Sequence, residues 1–349
     1  MGLTRVELEQ FTAFASLKLD LCRGINVLIG TNGTGKTHLM KVCYVACDVS
    51  RSPADDFARK LVKVFMPSGR SLRRLVRQQG GADGEAAIRV WRGALKLEAS
   101  FRRRPRPVSL DPSTFTDDDP DREMEKWARE PVECVYVPVK EMLSNGPGFR
   151  SLYSKREVHF EEVYNDILDR AYLPALRGPV DSPREQLAAR LQTEIGGEVA
   201  VENEEFFLRS ERENVEFSLL SEGVRKLALL WLLIRNDVVS PGSVLFWDEP
   251  ETNLNPKLFG VLMEVFLELQ RNGVQIFLAT HDYVILKELD LRSGETDDVA
   301  FHAFHRDEKT GGIDCETTRD YRNIHPNAIA DTFTDLYDRE IARSLGAGE

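Results

Sequence analysis

The first 30 residues alternate apolar and polar positions with a period of two. VELEQF and SLKLDL read as half-buried strands, and the continuous apolar run GINVLIG reads as a buried strand ending at Gly30. After a glycine-rich turn the pattern becomes helical from about Lys36 to Asp48. Further on, the pattern predicts an amphipathic helix near Asp55–Val64, a strand pair near Ala87–Phe101 and a buried strand in ECVYVPV. Helical periodicity from Glu157 to Thr193 breaks at Pro174 and at GPVDSP. EVAVEN, EEFFLRS and VEFSLL read as short strands. In LLSEGVRKLALL, residues Val224, Leu227, Ala228, Leu230 and Trp231 recur at helical spacing behind Ser221. GSVLFWDEP and VQIFLATHD read as buried strands flanking a helix from about Pro256 to Arg271. Strands alternating with helices predict an α/β fold with a parallel sheet covered on both faces.

Composition narrows the class. With 349 residues, 42% hydrophobic and 30% charged, the chain can build a large soluble core. Its longest apolar runs, such as Leu227–Ile234, fall far short of the roughly 20 residues that span a bilayer. The start, MGLTRVELEQ, lacks the apolar centre of a signal peptide, so a cytoplasmic protein without membrane contact is expected. Cys22, Cys43, Cys47, Cys134 and Cys315 form no CxxC pair and read as reduced core thiols. A net charge of −11 argues against coating nucleic acid through bulk charge. Two arginine clusters, Arg70, Arg73, Arg74, Arg77 and Arg102, Arg103, Arg104, Arg106, leave room for a local basic patch. The run from Asp111 to Asp121 is acidic. The pattern predicts a loop between Arg102 and Asp121.

Candidate chemistry gathers at the ends of the predicted strands. Gly30, Thr31, Asn32, Gly33, Thr34, Gly35, Lys36 and Thr37 spell GTNGTGKT, which fits G-x-x-x-x-G-K-[ST] between an apolar strand and a helix. Glycines let backbone N–H groups wrap phosphate oxygens, and the helix N-terminus adds its positive end. Lys36 then reaches the β and γ phosphates, Thr37 binds Mg²⁺, and His38 follows in the first helical turn. SVLFWDEPE places Asp248 and Glu249 at a strand end, one carboxylate for the metal and the next for water. His281, after VQIFLATHD, can contact a γ-phosphate as neutral imidazole. His302, His305, Asp314 and His325 lack metal-ligand spacing and read as surface or core residues.

In this order the pieces resemble the ABC-type ATPases. Gly30–Thr37 looks like Walker A, Ser221-Glu222-Gly223-Val224-Arg225 like the LSGGQ signature, and Leu245–Glu249 like Walker B. Asn253-Leu254-Asn255 resembles the D-loop and His281 the switch histidine. FTAFASLKLDLCRGINVLIGTNGTGKT is similar to the N-terminus of SMC, RecF and OLD-type ATPases. SEGVRKLALL with FWDEPETNLNP looks closest to short AAA-family ATPases of bacterial anti-phage operons. The resemblance covers about 1–48 and 197–290. It departs at Glu222, where a glycine is usual, and at Val224, where glutamine is common. No Q-loop glutamine is evident; Lys140 and Glu141 are candidates for its place. Phe11 and Phe14 are candidates for adenine contact or for the core.

The resemblance implies an α/β P-loop NTPase with an ABC-type head, a mixed or parallel central sheet and an antiparallel N-terminal β region. The expected division is an ATPase core from 1–48 and 197–349 with an inserted mixed and helical lobe at 49–196. It implies ATP and Mg²⁺ as cofactors, catalysis by Glu249, His281 and Lys36, and a metal held by Thr37 and Asp248. Ser221 and Gly223 would complete the nucleotide site of a second chain, giving a head-to-tail homodimer or a higher even-numbered oligomer. OLD proteins carry a C-terminal nuclease domain, and the stretch after His281 is too short for it. A separate nuclease-like effector in anti-phage defence is therefore the expected partner, with nucleic acid left open as another. The alternatives are a DNA-acting SMC/RecF-like ATPase, a transporter nucleotide-binding subunit, and an ATP binder without turnover, against which Glu249 speaks.

Overall fold

The computed structural model describes residues 2–51, 56–78, 84–103, 120–156, 158–175, 182–307 and 311–345. The predicted opening strands are β1 (Arg5–Phe11), β2 (Phe14–Asp20) and β3 (Ile25–Ile29), the last buried throughout. Helix α1 (Lys36–Asp48) has the predicted bounds. Helix α2 (Phe57–Phe65) is capped by Asp56, whose carboxylate accepts from the Ala58 N–H. Strands β4 (Glu85–Arg92) and β5 (Leu95–Arg102) form the predicted pair, and α3 (Pro120–Ala128) leads to β6 (Cys134–Val137). Helices α4 (Phe149–Lys155), α5 (Glu162–Ala171) and α6 (Ser182–Ile195) follow. Most of the Arg102–Asp121 loop, with the acidic run, and of the GPVDSP break lies outside the described residues.

Strands β7 (Glu198–Glu202), β8 (Glu205–Arg209) and β9 (Asn214–Glu216) form a small antiparallel sheet. VEFSLL is only partly a strand. From Phe217 to Leu219 the chain winds into a 3₁₀ turn, because Phe217 is drawn into the core with its ring 5.6 Å from that of Phe206. The turn delivers the chain to α7 (Glu222–Arg235). Then come β10 (Val244–Asp248), α8 (Phe259–Arg271), β11 (Gln275–Thr280) and α9 (Tyr283–Arg292). After residue 290, where the sequence pattern is silent, the chain adds β12 (Val299–Arg306), β13 (Ile313–Thr318) and α10 (Ala328–Ser344).

The central sheet runs β13-β12-β3-β11-β10-β6 and is parallel except for β13. A second, antiparallel sheet runs β2-β1-β4-β5. The segment 49–196, expected as an insert, therefore supplies two strands to the N-terminal sheet and edge strand β6 to the central one. The continuous apolar strands are explained by burial on both faces. Leu245, Trp247, Ile276 and Leu278 face one core with α7 and α8. Val244, Phe246, Phe277 and Ala279 face the other with α1 and the N-terminal sheet. Each large apolar side chain fully buried this way contributes roughly 1.5–3 kcal/mol. All five cysteines are free, four of them buried. Among the described residues no helix is long and apolar enough to cross a membrane.

Sheet register sets up the site. Ile29 pairs with Thr280, and Ala279 pairs with Asp248. The three segments singled out by sequence thus leave adjacent parallel strands at the same, C-terminal edge, where α/β sheets bind ligands.

Candidate functional site

The glycine loop turns from β3 into α1 as the motif requires. Gly35 stands at the helix N-terminus with φ 89°, and a Cβ there would meet the Phe14 ring at 2.6 Å. Only glycine fits both the left-handed backbone and the close approach. Phe14 is fully buried beneath the loop, and Phe11 is fully buried in the N-terminal core. Neither is placed as an adenine contact; both serve packing.

Lys36 is buried, and its Nζ donates to the carbonyls of Gly30 at 2.7 Å and Thr31 at 3.1 Å. Burial lowers its ammonium below the ordinary lysine value, against the pull of Glu249, Asp248 and Glu251. Thr34 Oγ1 donates to the Thr31 carbonyl, while Thr31, Asn32 and Gly33 are exposed. His38, in the first turn of α1, lies with its ring 5.6 Å from that of Phe65. Burial and then Lys41 hold its imidazole down at about 4, so it is neutral at ordinary pH.

Thr37 Oγ1 donates to Asp248 Oδ1 at 3.3 Å, and the Tyr136 hydroxyl donates to Asp248 Oδ2 at 2.9 Å. Burial raises the Asp248 carboxyl above its ordinary value, against these two bonds. A hydroxyl and a carboxylate converging on one point suit Mg²⁺, which takes few protein ligands and fills its octahedron with phosphate and water. Among the described residues no group of three or more His, Cys, Asp or Glu could hold a metal. Tyr136 was not singled out in the sequence: within ECVYVPV nothing but its lone hydroxyl marks it.

Glu249 leaves the strand in a left-handed conformation, φ 49°, which costs a non-glycine residue about 1–2 kcal/mol. Glu249 Oε2 accepts from Thr252 Oγ1 at 3.3 Å, and Glu249 Oε1 lies 3.5 Å from His281 Nδ1. His281 itself is exposed at the end of β11. The predicted acid, histidine and phosphate loop are brought together.

Ser221 caps α7, but its Oγ stands 3.5 Å from the Val224 N–H, at the long limit of a hydrogen bond. The residue is exposed. Glu222, where the signature usually has glycine, accepts from Asn253 Nδ2 at 2.8 Å. Lys226 Nζ donates to the Thr252 carbonyl at 2.6 Å. At Gly223 a Cβ would meet the Asn253 carbonyl oxygen at 2.8 Å. The helix start is thus stitched to the Asn253 loop, and the departure at Glu222 has a contact that explains it. Val224, the other departure, packs half-buried against the core. Glu141 is buried and ion-paired with Arg225 Nε at 2.5 Å, whereas Lys140 is exposed. Arg225 also donates to the carbonyls of Phe217 and Leu220, bracing the turn before Ser221.

Away from this edge, described members of the two arginine clusters come together, while Arg104 and Arg106 lie outside the described residues. Arg70, Arg73 and Arg102 line a cavity of about 620 Å³, and Arg73, Arg74 and Arg103 line a neighbour of about 440 Å³. His302 is buried between Asn26 and Thr317, a core residue as expected.

The crystal structure of the SmcHead bound to the C-winged helix domain of ScpA matches 91% of this chain and 98% of its own, with a TM-score of 0.54 and 12% identity. The Smc head domain with an extended coiled coil, bound to the C-terminal domain of ScpA derived from Pyrococcus furiosus, matches 97% and 99% at a TM-score of 0.50 and 11% identity. At such identities the likeness concerns the fold. In sequence the chain is 44% identical over 57 residues, 16% of its length, to the DNA replication and repair protein RecF of Acidothermus cellulolyticus. To RecF of Oenococcus oeni it is 39% identical over 62 residues, 18% of its length. These stretches span only 15% and 16% of the two RecF proteins. Residues 97–287, more than half of the chain, match the family model described as "AAA domain, putative AbiEii toxin, Type IV TA system". The chain therefore belongs to this AAA-domain, AbiEii-type family, and it is a nucleotide-binding P-loop ATPase with an SMC/RecF-like ABC fold.

Proposed function

We propose that this ATPase is a switch: two copies close head to tail around two ATP molecules and reopen on hydrolysis. The observation that carries the reading is the pairing of Thr37 with Asp248 at 3.3 Å beneath the glycine loop, with Glu249 bent away beside it. The N–H groups of Gly30 to His38 and the Lys36 ammonium hold the triphosphate. Thr37 and Asp248 hold Mg²⁺, which when bound neutralises charge on the phosphate oxygens. Glu249 orients the attacking water and takes its proton, and His281 faces the γ-phosphate.

Ser221 and Gly223 contribute to the partner's site. Ser221 is exposed with a slack cap bond, Leu219 two residues before it is 74% exposed, and the N-terminus of α7 carries the positive end of the helix dipole, which attracts an anion. Such ATP-gated closure is a switch read at the γ-phosphate. The AbiEii description of the family supports a place in bacterial anti-phage defence, where the closed dimer regulates or scaffolds a separate, nuclease-like effector. The ScpA-bound SMC heads support the idea that such a head carries a partner protein.

Mixing two inactive variants tests the pairing. Lys36→Ala lacks its own phosphate grip, and Ser221→Arg lacks what it lends. A mixed dimer regenerates one intact site, so the mixture should recover turnover that neither variant shows alone. No recovery at any ratio contradicts the head-to-tail arrangement.

A further inference from the structure

Resting on the hydrolytic roles given above to Glu249 and His281, we propose that Glu251 is a positioning residue for hydrolysis, clipping the turn that carries His281 to the loop after β10.

Its side chain is 7% exposed, and one of its oxygens does most of the work. Glu251 Oε1 accepts from Thr280 Oγ1 at 2.8 Å and from the His281 N–H at 3.1 Å. Thr280 Oγ1 in turn accepts from the Asp282 N–H at 3.0 Å. The backbone on both sides of His281 is therefore fixed through one carboxylate. The imidazole lies with Nδ1 3.5 Å from Glu249 Oε1 and 3.6 Å from Glu251 Oε1. The histidine side chain is 42% exposed, so little packing holds it; what fixes its position is the turn beneath it.

The local turn does not need this carboxylate. It is closed by backbone bonds, Thr252 N–H to the Glu249 carbonyl and Leu254 N–H to the Glu251 carbonyl, which almost any residue could make. A buried carboxylate is moreover a costly filler: Glu251 Oε2 has no hydrogen-bond partner among the described residues, and burial raises the group above its ordinary value. The return for that cost is the clip. It also makes one body of the Glu249–Asn255 loop, which contacts the signature helix through Asn253, and the turn that presents His281.

The test is a double-mutant cycle on steady-state ATP turnover, with nucleotide affinity measured separately by a fluorescent ATP analogue. Glu251→Ala should lower kcat about tenfold or more, as misplacement of a reacting group does, and leave nucleotide affinity within about twofold. Glu251→Gln keeps an acceptor for Thr280 and the His281 N–H and should retain most of kcat. In a His281→Ala background, Glu251→Ala should cost nothing further, because the group it positions is gone. Should Glu251→Ala lose nucleotide binding, Glu251→Asp, shorter by one methylene, runs the same cycle. Losses that multiply, or a fully active Glu251→Ala, overturn the clip alone. Wild-type turnover in His281→Ala removes the role given to His281, and the clip falls with it.

Discussion

The glycine-loop half of the site and the signature half handle their polar groups in opposite ways. Lys36, Thr37 and Asp248 are satisfied inside one chain: the ammonium by the Gly30 and Thr31 carbonyls, the hydroxyl by the carboxylate, the carboxylate also by Tyr136. Ser221 is exposed, its cap bond is stretched to 3.5 Å, and Leu219, two residues before it, presents a large apolar surface to solvent. Yet the signature half is not loose. Glu222, Gly223 and Lys226 anchor it to the Asn253 loop, and Glu141 with Arg225 braces the turn before it. Under the proposed function, this anchored helix start is preorganised for the phosphate of a second chain's nucleotide. On the same proposal, the contrast separates binding, which one chain would complete, from turnover, which would need two.

The largest effect should come from the first half. Lys36→Ala should weaken ATP binding by about a hundredfold or more, measured by calorimetry, since it removes an ammonium held at the loop. Ser221→Arg should sharpen the contrast: ATP affinity of the monomer within about threefold, turnover down by about a hundredfold. Equal losses in both would erase the distinction between the halves. A smaller effect is expected from Tyr136→Phe, which removes the donor to Asp248 Oδ2 but keeps the ring stacked near Phe246. Losing a partner behind a metal ligand typically costs 10–100-fold in metal affinity. The Mg²⁺ concentration for half-maximal turnover should therefore rise about tenfold, at the low end of that range, with kcat at saturating Mg²⁺ nearly restored.

Much of the glycine-loop half is legible in sequence because its signals are local. A buried strand, a glycine turn and a helix start are contiguous from Gly24 to Asp48, and the acid pair simply ends an apolar run. The halves meet through contacts that sequence does not display. Tyr136 reaches Asp248 across 112 residues from the middle of an apolar strand. Glu251 looks like one more acid in a turn until its bonds to Thr280 and His281 are seen. Strand β12 pairs with β3 from the far end of the chain, and VAFHAFHR gives no hint of which edge it joins. Phe11 and Phe14 were candidates for a base contact or for the core, and both are fully buried, Phe14 under the loop and Phe11 in the N-terminal core. Where a side chain points is decided by such non-local packing, which one sequence does not carry.

The central claim, ATP-gated closure of two chains, is tested most directly with Glu249→Gln. This variant keeps the shape of the side chain and loses the base, so it should bind ATP without consuming it. Light scattering behind size exclusion should give twice the 39.6 kDa chain mass with ATP and Mg²⁺, and the monomer mass once nucleotide is removed. A particle whose mass does not depend on ATP, or a variant that hydrolyses at the parent rate, would contradict the account.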